Sequence, residues 1–368
     1  MPIASARAEI LEAHLAWACL NILTKRRCDF LCEEFGDLEK AWRRLDAELL
    51  RKMGCREETA RKVMCEREEL DLEKQRTLLA TNDIRLLSFE DAAFPAALRE
   101  IGDPPVFLFA KGNLEILRQP SLALVGTREM SPYGKRVTEF LVTDLVRAGV
   151  VTVSGLAAGI DAEVARVTLS AGGQHVGVLG HGLSAIYPRS NTLLAGEILA
   201  HGGLLLTEFP LHITPDKYTF PARNRIIAGL TLGTVVIEAA SQSGSLITAS
   251  LALEYGREVF AVPGQIFDPH FDGTHELIAK GSAKLIRNAA EILRELGVVV
   301  PERNSPSRYR AQTPDEQTLL GFLTTMPQHI DDLIEQSGLP IGTVNATLTL
   351  MELKGGAKNV GMGNWVKA

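Results

Sequence analysis

The sequence holds only five cysteines in 368 residues, and all of them (Cys19, Cys28, Cys32, Cys55 and Cys65) fall within the first 65 positions. No CxxC pair occurs. An odd number at loose spacing excludes the repeated thiol pairs of a zinc site and the even set of a disulfide framework. Reduced thiols in a reducing compartment, the cytoplasm, are expected. Two phosphate-binding signatures are also missing: GxGxxG, the dinucleotide fingerprint, and GxxxxGK[ST], the loop of nucleoside triphosphatases. SGSL and GHGLS bring serine beside glycine, but the GxSxG elbow of a serine nucleophile is missing, and His181 reads as a loop residue rather than a base. None of the eight histidines stands four residues from another or beside clustered carboxylates, so neither a metal nor a cofactor is expected. Long hydrophobic runs are absent too. The opening stretch, MPIASARAEILEAHLAWACLNILTKRR, is broken by charges and a histidine, and reads as neither a signal peptide nor a membrane span. An excess of positive charge is lacking: the formal net charge is −6, so a nucleic-acid site would have to be a local basic patch.

What is present is the balance of a soluble globular protein, 46% hydrophobic and 23% charged, with length for two or three domains. Residues 1–80 carry apolar positions at three- and four-residue steps, as in Leu38, Trp42, Leu45 and Leu49, and predict a helical domain. IRLLSFEDAAFPAALREIGDPPVFLFAKGN, broken at FP and DPP, predicts a connecting loop-strand unit. From Ser121, short apolar runs (SLALVGT, VVTVSG, QHVGVLG, GLLLTE, GTVVIEA, EVFAVPG) alternate with helical stretches. Runs buried on both faces between helices predict a doubly wound parallel α/β sheet, and the domain is expected to span 81–300 with its lead-in. The polar, proline-containing stretch 301–314 reads as a linker. Residues 315–368 predict three helices followed by a two-strand ribbon, the outline of a winged helix.

Ligands of such sheets collect at the carboxyl ends of the strands, and four segments stand out there. In ALVGTREMSPYG, Gly126 and Thr127 turn the chain and Arg128 projects before a helix, which suits a phosphate. An arginine paired with a surface carboxylate fits the same residues. In SGLAAGID, Ser154, Gly155 and Gly159 permit close backbone approach, and Asp161 reads best as a helix cap. In SQSGSLITAS, Ser243, Gly244, Ser245 and Thr248 offer donors to an anion, or simply cap a helix. In DKYTFPARNRII, read as a loop, Lys217, Arg223 and Arg225 surround Phe220. Such a cluster can hold phosphates while the ring stacks on an unpaired base, or Phe220 can belong to the core.

The order of these motifs (VGTR, SPYG, SGLAAGID, YP, TEFP, FPARNRIIAGL, VVIEAASQSGSLITA, GREVFAVPG) resembles the DprA/Smf family of DNA-processing proteins over residues 121–286. AALREIGDPPVFLFAKGN and the C-terminal unit resemble that family's lead-in and winged helix. The resemblance implies an extended Rossmann-like domain that binds single-stranded DNA during DNA uptake, loads the RecA recombinase, forms a homodimer through the Rossmann-like domain, and carries out no catalysis. It implies DNA contacts at the Arg128 loop, Lys217, Phe220, Arg223, Asn224 and Arg225, with SQSGSLITA lining the same pocket.

Several positions depart from the family pattern. Ala158, Ala165 and Ala222 stand where the family usually has basic residues or histidine, and an arginine common after the VPG turn is replaced around Asp272. These departures predict less basic charge around the pocket. The first domain lacks the Gly-rich hairpin of a helix-hairpin-helix before Gly36, so a packing role is expected of it. A nucleotide phosphoribohydrolase of the LOG type is one alternative, but its PGGxGTxxE glutamate has no counterpart in SQSGSLITA. A small-nucleotide sensor is the other.

Overall fold

The computed structural model describes residues 3–298, 309–324 and 326–367, the side chains of 3–11 excepted. The chain divides into two compact units, Met1–Val300 and Pro301–Ala368.

The first unit is built on a nine-stranded sheet: β1 (Ile84–Ser88), β2 (Phe107–Gly112), β3 (Ser121–Val125), β4 (Val151–Ser154), β5 (His175–Val178), β6 (Leu204–Thr207), β7 (Gly233–Val236), β8 (Glu258–Ala261) and β9 (Lys284–Leu285). Their order is β1-β2-β6-β5-β4-β3-β7-β8-β9. Strands β3 to β9 pair in parallel, and β2 joins β6 antiparallel. All six apolar runs are therefore strands, as expected. The period of two divides each run between the faces. Ala123, Val125, Val151, Val153, Val176 and Val236 enter one core, while Leu122, Leu124, Val235 and Phe260 enter the other.

The lead-in, read as a connecting loop-strand unit, forms two strands, the β1–β2 hairpin that widens the sheet, with Ile84 opposite Lys111 and Ser88 opposite Phe107. Six helices precede it, from Ile3–Leu20 to Leu72–Thr81. Asp37, Asp46 and Asp71 cap three of them through backbone amides. Their core, around the fully buried Trp17 set edge-on to Trp42 at 5.4 Å, is continuous with Ile84, Phe107 and Phe109 of the hairpin. The two-residue β9 is exposed and carries no apolar signal to read.

The second unit has helices Pro314–Phe322, Ile330–Ser337 and Ile341–Leu353, and a small sheet ordered β10 (Gln328–His329), β12 (Asn364–Lys367), β11 (Ala357–Gly361). It is a winged helix, with Leu319, Leu333, Val344, Leu348, Met351 and Trp365 in its core. The two-residue β10 adds a third strand to the expected ribbon. Of the expected linker 301–314, residues 301–308 lie outside the described residues, and Pro314 opens the first helix of this unit.

Candidate functional site

Strand order reverses between β3 and β7: β4, β5 and β6 follow on one side of β3, whereas β7 returns to the other. At such a switch point the loops after the two strands diverge and leave a crevice at the carboxyl edge. A cleft of about 1350 Å³ lies there. Its base is fixed by backbone contacts. Thr127 N donates to Glu238 O at 2.8 Å, and Ile160 N donates to Thr127 O at 3.1 Å. Gly126 has to be a glycine, because a Cβ there would stand 2.6 Å from Ile160 Cγ1. Gly159 has φ +75°, and its Cβ would fall 2.6 Å from Arg128 O. The buried Glu238 carboxylate accepts from Ser131 N and Oγ at 3.2 and 3.0 Å, and Ser131 Oγ in turn accepts from Gly134 N at 3.0 Å, which starts the helix Pro132–Arg147.

Eleven of the fifteen candidate residues line the cleft: Gly126, Thr127, Arg128, Lys217, Phe220, Arg223, Asn224, Ser243, Gly244, Ser245 and Thr248. The segment read as a loop around Phe220 is a helix, Thr219–Leu230, with Pro221 tolerated in its first turn. Phe220, Arg223, Asn224 and Ile227 recur at helical spacing and present one face to the cleft. Arg128 is exposed, makes no hydrogen bond or ion pair among the described residues, and places its guanidinium 5.3 Å from the centre of the partly buried Phe220 ring. Asn224 Nδ2 donates to Gly244 O at 3.3 Å, which ties this helix to the serine loop. Ser243 Oγ and Ser245 Oγ stand 2.7 Å apart at the start of the helix Ser245–Glu254.

Arg223 is buried at the floor. It donates from a terminal nitrogen to Val178 O, and its Nε has no partner among the described residues. Burial lowers its pKa to about 10, against the pull of Asp161, and it stays cationic at neutral pH. Asp161 is the second residue of its helix, and it does not cap that helix as expected. Its carboxylate turns back to accept from Gly155 N at 2.9 Å and Ala157 N at 3.4 Å. Burial raises its pKa, and Arg223 and the amide hydrogen bonds oppose that rise.

Four candidates stand apart from the cleft. Ser154 is fully buried, its hydroxyl donating to Asp161 O at 3.1 Å and lying 3.2 Å from His175 Nε2. Gly155 packs under the Arg223 guanidinium, and Gly159 serves the backbone crossing described above. Arg225 follows Asn224 on the helix and so turns away. It pairs with the Glu208 carboxylate and donates to Asp103 O at 2.7 Å. The alanines divide as well. Ala158 and Ala222 are exposed, but Ala165 is fully buried against the cluster around Leu194 and Ile198, so this departure removes no charge from the cleft. Glu129 and Asp216 line the cleft beside its cations, and Tyr187 of the YP motif, not among the candidate site residues, adds an aromatic wall.

A doubly wound sheet with a cleft at its switch point defines a Rossmann-like ligand-binding protein. Residues 85–297 match the family described as DNA recombination-mediator protein A, and residues 303–360 match the DprA winged helix domain. The DNA processing protein DprA of Bacillus subtilis is 45% identical over 222 residues, 60% of this chain and 73% of that protein. The X-ray structure of DprA from Streptococcus pneumoniae superposes with a TM-score of 0.66 at 36% identity, covering 77% of this chain and 97% of that one. Helicobacter pylori DprA, whose structure is described as giving insight into its single-stranded DNA binding mode, matches with a TM-score of 0.52 at 33% identity, over 58% of this chain and 95% of that one. The chain belongs to the DprA/Smf family of DNA-processing proteins. No helix among the described residues is long and apolar enough to cross a membrane.

Proposed function

We propose that the switch-point cleft binds single-stranded DNA and that the protein, as a homodimer in the cytoplasm, hands the strand to the RecA recombinase. The observation that carries the reading is the Arg128 guanidinium, without hydrogen-bond or ion-pair partners among the described residues, held beside Phe220. A guanidinium with unused donors suits a phosphodiester, and a neighbouring ring suits an unpaired base. Lys217 and Arg223 supply further positive charge. Asn224 and the Ser243–Gly244–Ser245 turn with Thr248 supply donors at a helix start, where an anion is favoured. The single-strand binding named for the Helicobacter pylori relative supports the ligand, and the description of the matching family as a recombination mediator supports the hand-over.

The reading involves no catalysis. The carboxylate at the cleft floor, Asp161, is turned to backbone amides, and SQSGSLITA carries no glutamate to match that of a LOG-type enzyme. Affinity for a short oligothymidylate, compared with the matching duplex, tests the proposal. Tighter binding of the single strand is expected. Equal binding of both, or hydrolysis of a nucleoside monophosphate by the protein, would sink it.

A further inference from the structure

Tyr187 is 48% exposed and forms a wall of the cleft, with its ring centroid 6.0 Å from that of Phe220 and the planes tilted by 40°. Its hydroxyl makes no hydrogen bond among the described residues. The backbone beneath the ring is nevertheless anchored by buried groups. Tyr187 N donates to His181 Nε2 at 3.3 Å, and Nδ1 of the buried His181 lies 2.9 Å from Gly182 O. An Nε2 that accepts leaves the ring proton on Nδ1, so this imidazole is neutral, in keeping with a pKa lowered mainly by burial. A few residues further on, the buried Asn191 donates to Leu156 O and Ala157 O at 2.9 and 3.2 Å, pinning the same loop to the cleft floor. A surface ring held from below in this way loses little freedom when a ligand covers it.

Phe220 is less available than its position suggests. Arg128 lies over its ring, and the backbone at Gly180 packs so close that a Cβ there would meet Phe220 Cδ1 at 3.1 Å. Tyr218 is 73% exposed, but it is not among the cleft-lining residues, and the Lys217 ammonium stands 4.9 Å from its ring centre. Among these three rings, the wide aromatic surface open to the cleft is that of Tyr187.

We propose that Tyr187 is a base-contacting residue of the cleft: an unpaired base stacks on the open face of its ring, with Phe220 behind it. This rests on the reading of the cleft as a single-strand site and adds the residue that meets the base. The test uses the full chain with Tyr187→Ala, Tyr187→Phe and Tyr187→Trp, titrated with oligothymidylate and with an abasic strand of the same length. Tyr187→Ala should lose roughly five- to a hundredfold in affinity for oligothymidylate, the range of a lost stacking contact, and little for the abasic strand. Tyr187→Phe should bind as wild type, and Tyr187→Trp should bind with its added fluorescence quenched. Wild-type affinity in Tyr187→Ala, or an equal loss on both strands, overturns the assignment while leaving the cleft reading intact. A wild-type protein with no affinity for oligothymidylate overturns both.

Discussion

Gly155 lies against the guanidinium of Arg223 so closely that a Cβ at 155 would stand 2.5 Å from Arg223 Cζ. Arg223 is 4% exposed and holds Val178 O, so moving its head aside into the cleft would break that hydrogen bond. Gly155→Ala should therefore cost about 1–3 kcal/mol of stability, through the displaced guanidinium and its broken hydrogen bond. Residues in such contact are coupled. Removing the side chain in Gly155→Ala/Arg223→Ala should cost less than the sum of the two single changes, as read by chemical denaturation. Strict additivity would mean that the guanidinium moves aside freely.

Arg128 should behave as a phosphate contact. Its replacement by alanine is expected to weaken binding to all single-stranded sequences alike and to lower the slope of log affinity against log salt by about one. Melting should change little, since the side chain is exposed and makes no hydrogen bond or ion pair among the described residues. Titrations at several salt concentrations read both quantities, and an unchanged slope would remove Arg128 from the DNA path.

Arg225 should matter for folding instead. Burial raises the Glu208 carboxyl from 4.5 to about 7, with Arg225 opposing the rise. A carboxyl with a raised folded-state pKa takes up protons on folding, so the stability linked to it is fully present below pH 4.5 and is lost as pH climbs through about 7. Arg225→Ala removes the opposing charge and lifts that pKa further. Well above pH 7, where the wild-type carboxylate is ionised, the variant should be less stable by about 3 kcal/mol or more, as when one partner of a buried pair is removed. Its deficit against wild type should shrink as the pH is lowered through the same range. Single-strand affinity at a temperature where both proteins are folded should be unchanged. A pH-independent deficit would show that Glu208 does not titrate in this range.

Six of the seven parallel strands were legible because each is an apolar run buried on both faces, so burial itself wrote the signal. The β1–β2 hairpin was read only in part, as a loop-strand unit rather than a pair of strands. IRLLS and VFLFAKG flank the FP and DPP breaks, and the edge strand alternates only in part, with Arg85 exposed and Leu86 half-buried. At the site, the motifs brought together most of the cleft. Their error at Arg225 came from reading FPARNRII as a loop. As a helix, the segment places Phe220, Arg223 and Asn224 on one face and Arg225 about 100° beyond Asn224. Ser154 misled for another reason: a hydroxyl beside glycine looks the same whether it caps a strand end in the core or faces a ligand. Tyr187 stood in the YP motif but was not read as a site residue, because its neighbourhood to Phe220 joins a loop and a helix 33 positions apart.

The winged helix is expected to contribute little to DNA binding. On the helix Ile341–Leu353, the exposed positions include Ile341, Asn345, Leu350 and Leu353, and no lysine or arginine lies within it. Lys354, the cation that follows, is engaged with Glu316 and Gln312 at 2.9 Å each. Helices that read duplex DNA present basic or amide side chains to the groove. Deleting residues 315–368 should leave single-strand affinity within about twofold, and the isolated domain should not bind duplex DNA tightly. Tight duplex binding by that domain would refute this.

Phe220, which stands behind Tyr187, should contribute to the choice between single and double strands. Phosphates are present on both forms, so Arg128, Lys217 and Arg223 discriminate weakly, whereas a ring can stack only on an unpaired base. Base–aromatic stacking contributes about 1–3 kcal/mol, which is roughly a five- to hundredfold preference. Phe220→Ala should lose part of that single-strand affinity, because the ring backs Tyr187 and lies under Arg128, and leave weak duplex binding nearly as it was, while Lys217→Ala should weaken both. The ring is partly buried, so some loss of stability is expected as well. A core phenylalanine would cost about 3–5 kcal/mol on truncation to alanine, and the loss here should be smaller. Melting temperature and both affinities measured on one preparation separate the two roles. A well-folded Phe220→Ala protein with undiminished single-strand affinity would assign the ring to packing, and the preference for single strands would then have to come from Tyr187.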